Sequence, residues 1–255
     1  MGPLFRWRVL AARALMLLVL TLAPYGAVAQ GGPPLVTDDP GTPGDGKWEI
    51  NLAMLGGRTL RRWDVDVFDA DMNYGLGDRI QLNADIPWSA VHEAGQGWRS
   101  GLGTATLGVK WRFVDQDASG FDLSTYPKYA SAWSGAAKRR GVASPNAQIH
   151  LPLEFAKAVG GYEFVAEVAR NFIERESDQW EAGVVAAHSC GGEFECLVEV
   201  HRTWAPHDAQ TLLNVGLHWK LSQSSVLLAS GGREFGSDTA ERQRFVFYFG
   251  VQLLR

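Results

Sequence analysis

Cys190 and Cys196 are the only cysteines in the chain, and they bracket Gly191-Gly192-Glu193-Phe194-Glu195, a stretch that reads as a hairpin turn. Two cysteines so spaced can close a disulfide, the plain expectation in an oxidising compartment. With His188 and His201 close by in sequence, a zinc site is the sharper alternative, because thiolate and imidazole are its preferred ligands. His188 and His201 nevertheless fall on different candidate strands, where alternation can turn them to opposite faces. The histidines invite a second chemistry, a serine activated by imidazole as in a lipid hydrolase. His150, His201 and His218 share the polar phase of their segments, and serine is common in the turns. No motif brings a Ser/His pair to one height on adjacent strands, so hydrogen-bonded or solvated histidines are the simpler expectation. No catalytic residue and no metal ligand set is assigned, and no nucleotide, flavin or haem motif calls for a cofactor.

The charged residues show a firmer pattern. Glu49, Lys110, Arg112, Glu154, Glu167, Glu199, His218 and Lys220, with Asp85, Glu163, Glu181 and Glu195, each occupy the polar phase of a segment whose alternate residues are apolar. In 210–221, Leu213, Val215, Leu217, Trp219 and Leu221 fall on one face and Asn214, Gly216, His218 and Lys220 on the other. In 103–113, Ala105, Leu107, Val109, Trp111 and Phe113 oppose Thr104, Thr106, Gly108, Lys110 and Arg112. Charges enclosed on such a face must pair with one another or line a wet passage.

Alternation and turn signals predict about twelve strands, near 46–57, 62–75, 79–89, 102–114, 121–131, 146–157, 161–173, 179–189, 194–204, 210–221, 224–233 and 243–254. The fifth is the weakest, and the second shifts phase near Phe68, as a bulge would make it do. Tight turns at Gly75-Leu76-Gly77-Asp78, Gly160-Gly161 and Ser222-Gln223-Ser224 alternate with longer connections at 90–100, 134–144, 174–178 and 232–241. Transmembrane barrels place short turns at the periplasmic end and longer loops outside, so this parity favours an even-stranded barrel with both termini in the periplasm. A soluble β-sandwich also alternates, but it has no reason to keep that parity.

Targeting agrees. Arg6, Arg8 and Arg13 precede the apolar run Ala14–Leu20 and a small-x-small site, Ala27-Val28-Ala29, so residues 1–29 read as a cleaved secretory signal. Twenty-one basic against 28 acidic residues, a balance of −7, remain once those arginines leave, which argues against a nucleic-acid partner. The 10 Trp and 12 Phe suit interfacial girdles, although a sandwich core would also use them. Residues 30–45 read as a Pro/Gly-rich periplasmic lead-in in which Asp38, Asp39 and Asp45 are flexible polar residues, with a calcium site as the sharper alternative. Residues 46–255 then form one barrel domain.

Several motifs carry a family resemblance. Pro33-Pro34-Leu35-Val36-Thr37-Asp38-Asp39-Pro40-Gly41-Thr42-Pro43-Gly44, followed by Lys47-Trp48-Glu49-Ile50-Asn51, resembles the mature N-terminus of the meta-pathway phenol-degradation family of outer-membrane transporters. So do Asn73–Leu82, Gly103–Phe113 and the run from Asp178 to the C-terminus, while 126–144 departs from the pattern. The final Val251-Gln252-Leu253-Leu254-Arg255 also lacks the last aromatic residue that barrel-assembly machinery reads. The resemblance implies a transmembrane β-barrel with a transport role. The resulting expectation is a monomeric, non-enzymatic outer-membrane barrel, assembled by that machinery and embedded in outer-membrane lipid. It would pass small, aromatic or apolar solutes by passive or gated diffusion. A lipid-face hydrolase and a secreted ligand-binding β-sandwich are the alternatives.

Overall fold

The alternating pattern closes into a ring. A computed structural model describes residues 32–255, so the signal-peptide reading of residues 1–29 lies outside the described residues. The strands are β1 (Trp48–Arg58), β2 (Arg62–Leu76), β3 (Ile80–Glu93), β4 (Arg99–Leu102 and Ala105–Val114), β5 (Asp122–Thr125 and Lys128–Ser131), β6 (Gln148–Val159), β7 (Tyr162–Ile173), β8 (Gln179–Gly191), β9 (Phe194–Ala205), β10 (Asp208–Ser222), β11 (Ser225–Gly236) and β12 (Phe245–Leu254). Each pairs antiparallel with its neighbours in sequence, and β12 pairs with β1 from Glu49↔Leu254 to Arg58↔Phe245. The ring has no free edge. The sandwich alternative is therefore overturned: there is one closed sheet, not two stacked ones.

Irregularities have local causes. The β2–β3 ladder slips between Asp66 and Phe68 and the β1–β2 ladder between Asp66 and Asp69, so the bulge expected near Phe68 includes Val67. β5 is interrupted at Tyr126-Pro127, because proline has no N–H to give the ladder. Its carbonyl still accepts from Val109 N at 3.1 Å. The weak fifth strand is thus a strand broken by one proline.

Connections partly follow the expected parity. β1 begins and β12 ends at one end of the barrel, where Trp48 and Arg255 exchange backbone hydrogen bonds, and we call this the periplasmic end. Tight turns join β2–β3, β6–β7, β8–β9 and β10–β11 there, but the β4–β5 connection carries a short helix, α1 (Gln116–Ser119). At the other end the β1–β2 and β9–β10 turns are short, contrary to expectation. The longest connection, 132–147, carries α2 (Gly135–Arg139) and folds inward. Its Ala132, Ala137, Val142 and Ala143 cluster with Val91 of β3, and Arg62 donates to Gly141 O at 2.9 Å. Among the described residues no helix is long and apolar enough to cross a membrane, so any crossing is made by strands.

The outer face is apolar in a way water would not tolerate. Leu107, Val109, Leu151, Leu153, Val198, Leu213 and Val215, on β4, β6, β9 and β10, stand 44–60% exposed. A continuous belt of this kind is stable only against hydrocarbon. Aromatic pairs flank it at the periplasmic end, Trp48–Tyr74 at 4.9 Å and Phe194–Trp219 at 5.3 Å. At the other end Arg170 lies over the rings of Phe172 and Trp180.

Candidate functional site: a plugged lumen

The polar phases all point into the barrel. Lys110, Glu154, Glu167, Glu199 and His218 are buried there, and Glu154 and Glu199 are completely shielded. Glu49 and Lys220 line a cavity of about 860 Å³ that opens from the periplasmic turns, and Arg112 lies lower, donating to Asp78 O at 2.9 Å. The sequence reading named these side chains as lumen candidates. It did not foresee what they hold.

Residues 32–45 are not a flexible periplasmic lead-in, as the sequence suggested, but a segment lodged inside the barrel. The physical reason is that the lumen offers partners for many of the segment's polar groups. Glu199 accepts from Val36 N at 3.1 Å and Thr37 N at 2.6 Å, and from Asn214 Nδ2 at 3.1 Å. Glu167 Oε2 accepts from Asp38 N at 3.2 Å. The Asp38 carboxylate receives Lys110 Nζ at 3.0 Å and Lys128 Nζ at 2.9 Å, and Lys110 also donates to Asp39 O. The opposite flank is fixed by His218 Nε2 against Pro33 O at 3.2 Å and by Ser230 Oγ donating to Pro34 O at 2.6 Å. These partners answer the calcium alternative: the Asp38 charge is met by two ammonium groups.

Lys110 sits at the centre of this arrangement. Besides Asp38 it faces Glu154 Oε2 at 3.6 Å, and Ser124 Oγ donates to the same oxygen. Both lysine ammoniums also lie over the Tyr126 ring, at 4.7 and 4.1 Å from its centre. The proline that interrupts β5 therefore has a consequence here, since Tyr126 enters the lumen beside it. Leu35 anchors the tip by apolar contact with Ala156, Val165, Val185, Ala187 and Leu197.

Two glycines make room for the segment. A Cβ at Gly183 of β8 would overlap Thr37 Oγ1, and one at Gly75 would overlap the Gly44 carbonyl. Near its exit the segment is tied to the β2–β3 turn by Thr42 Oγ1 to Asp78 O at 2.8 Å and Gly77 N to Asp45 Oδ1 at 2.8 Å.

The segment divides the interior. Above it, towards the extracellular end, lies a cavity of about 460 Å³ lined by Leu55, Val65, Val91, Val142, Val246 and the carboxylates of Asp64 and Asp66. The upper and lower cavities share Leu35, Val36, Leu55 and Tyr248. One wall of the lower cavity, from β1 to β3, is acidic: Asp71 accepts from Asn51 at 3.0 Å and Asn73 at 3.1 Å, with Asp69, Asp85 and Glu49 beside it. Sequence reasoning missed Asp69, Asp71 and Lys128. The signal was present in Asp69-Ala70-Asp71-Met72-Asn73, whose polar phase becomes visible only after the bulge at Val67 is allowed for.

Cys190 and Cys196 are joined by a disulfide on the outward side of the β8–β9 hairpin. His188 is exposed and stacks on Tyr162 at 4.3 Å, whereas His201 is buried inside the barrel. The four residues cannot share a zinc ion, because the wall of the barrel stands between the two histidines.

No family model and no curated protein sequence matches the chain. Solved structures do. The COG4313 outer membrane channel from Pseudomonas putida F1 superposes with a TM-score of 0.70 at 12% identity, over 89% of this chain and 100% of that one. This is the fold of outer-membrane channels. The KdgM porin, at 10% identity, matches with a TM-score of 0.54 over 81% of this chain and 98% of its own. The NanC porin, at 6% identity, gives 0.56 over 80% and 98%. These likenesses establish the barrel and do not extend to the phenol-degradation family, whose resemblance rests on the sequence motifs alone.

Proposed function

We propose that this protein is a gated outer-membrane channel for small solutes, closed by its own residues 33–42. The observation that carries this reading is the position of Leu35 and Val36, which stand where the periplasmic and extracellular cavities meet. The segment is held by side-chain hydrogen bonds and ion pairs, not by the strand ladder. It can therefore leave its seat without opening the barrel, and its departure would join the two cavities into one passage.

Movement through that passage would be passive diffusion. The upper chamber, lined largely by valine and leucine with two carboxylates, suits small apolar or aromatic solutes, in keeping with the family resemblance. The acidic wall below favours cations over anions, as rings of carboxylates do. Each barrel encloses a complete passage, so a monomer suffices. The hydrolase alternative loses its support from the histidines: His150, His201 and His218 face the lumen and not lipid.

Planar-bilayer recording of detergent-purified, heat-modifiable protein tests the reading. A variant lacking residues 33–42 should conduct steadily and prefer cations, while the full chain stays mostly silent. Equal conductance from the two would remove residues 33–42 as the gate.

A further inference from the structure

Beside the plug's seat, four side chains from four consecutive strands converge on the lumen wall: His150 of β6, Glu167 of β7, Glu181 of β8 and His201 of β9. The ligating atoms of His150, Glu167 and Glu181 all lie within 4.8 Å of one another. They line a separate cavity of about 260 Å³. His201 extends the cluster, with its Nε2 3.8 Å from Glu181 Oε2.

The distances are informative because they reach at most a long ion pair and fall short of a hydrogen bond. His150 Nε2 stands 4.0 Å from Glu167 Oε1 and His201 Nε2 3.8 Å from Glu181 Oε2, both too long for a hydrogen bond. His201 is only 5% exposed, yet its Nε2 has no hydrogen-bond partner. A buried imidazole nitrogen left in that state is costly and calls for a partner, a bound ion being one. Two ligands on a tetrahedral zinc stand roughly 3.4 Å apart, each at about 2.0–2.2 Å from the metal. From separations of up to 4.8 Å the ligands would close by as much as about 1.4 Å per pair, or roughly 0.7 Å per side chain, to reach that spacing.

We propose that His150, Glu167, Glu181 and His201 bind a divalent transition-metal ion of the zinc class. Two imidazoles select such an ion over calcium and magnesium, which prefer oxygen alone. Two carboxylates neutralise its charge. The nearest ammonium, Lys128, is already paired with Asp38. The register holds the ligands in place: Glu167, Gly183 and His201 lie side by side across β7, β8 and β9, and Glu181 is two residues along on the same face. Glu167 divides its oxygens, Oε2 on the plug's Asp38 amide and Oε1 towards His150. The inference does not depend on the channel reading.

Full-length mature barrel, folded in detergent and stripped with chelator, is titrated with zinc by calorimetry and with cobalt by visible absorbance. One equivalent should bind, and cobalt should show the strong visible bands of a four-coordinate site. His150→Gln with His201→Gln should weaken binding by more than about tenfold, while His92→Gln and His207→Gln leave it unchanged. Heat-modifiable migration reports folding, and Glu181→Gln replaces the double variant if that one fails to fold. Absence of stoichiometric binding overturns the site. So does binding that survives the lumen substitutions, or binding lost with His92 or His207.

Discussion

Glu199→Ala is the substitution that acts most directly on the proposed gate. The Glu199 carboxylate is fully buried and accepts from the backbone amides of Val36 and Thr37 and from Asn214. Hydrogen bonds to a charged group contribute about 1.5–3 kcal/mol each, so two plug amides losing this acceptor weaken docking by about 3–6 kcal/mol. Released amides regain water, which favours the lower end. A loss of about 3 kcal/mol shifts the ratio of closed to open barrels roughly 100-fold. Glu199→Gln retains an acceptor oxygen and the side-chain volume, and should produce a smaller shift. Open probability in planar bilayers reads the effect directly, with heat-modifiable migration certifying the barrel. If folded Glu199→Ala opens no more often than wild type, the plug is not held by this carboxylate and the gating argument fails.

Three further outcomes follow from the same geometry. Gly183→Ala places a methyl group against Thr37 Oγ1 and should also raise open probability, leaving the urea midpoint of the barrel nearly unchanged. Val215→Arg sets a charge in the middle of the outer belt, beside Val198, and should cost about 2–4 kcal/mol in folding into lipid bilayers; an unchanged folding free energy would deny that this face meets hydrocarbon. Replacing Cys190 and Cys196 by serine removes a cross-link spanning six residues, worth on the order of 2 kcal/mol at most in the chain-entropy account. The urea midpoint should fall slightly and the conductance should not change, since the disulfide lies outside the lumen.

Alternation made the barrel legible, because strands between lipid and water must change polarity at every residue. It worked for β10, where Leu213 and Val215 face out and Asn214 and His218 face in. It faltered where one residue broke the period, at Val67 and at Pro127, and there it hid Asp69, Asp71 and Lys128. The plug was illegible for a different reason. Its residues have no period at all, and their partners are remote: Glu199 is 162 residues from Thr37 and Lys110 is 72 from Asp38. Lumen charges such as Glu154 and Glu199 therefore showed their face in the sequence but not their occupant. His201 was visible as a lumen histidine, while its closeness to Glu181 appears only in three dimensions.

The attachment of residues 42–45 to the β2–β3 turn fixes one end of the plug. From that rim the segment runs inward to Asp38 and Thr37 and folds back past Leu35 to Pro33, whose carbonyl meets His218 near the periplasmic turns. On the proposed gated reading, breaking the inner contacts would leave residues 42–45 as a tether, so the plug would swing aside and could reseat.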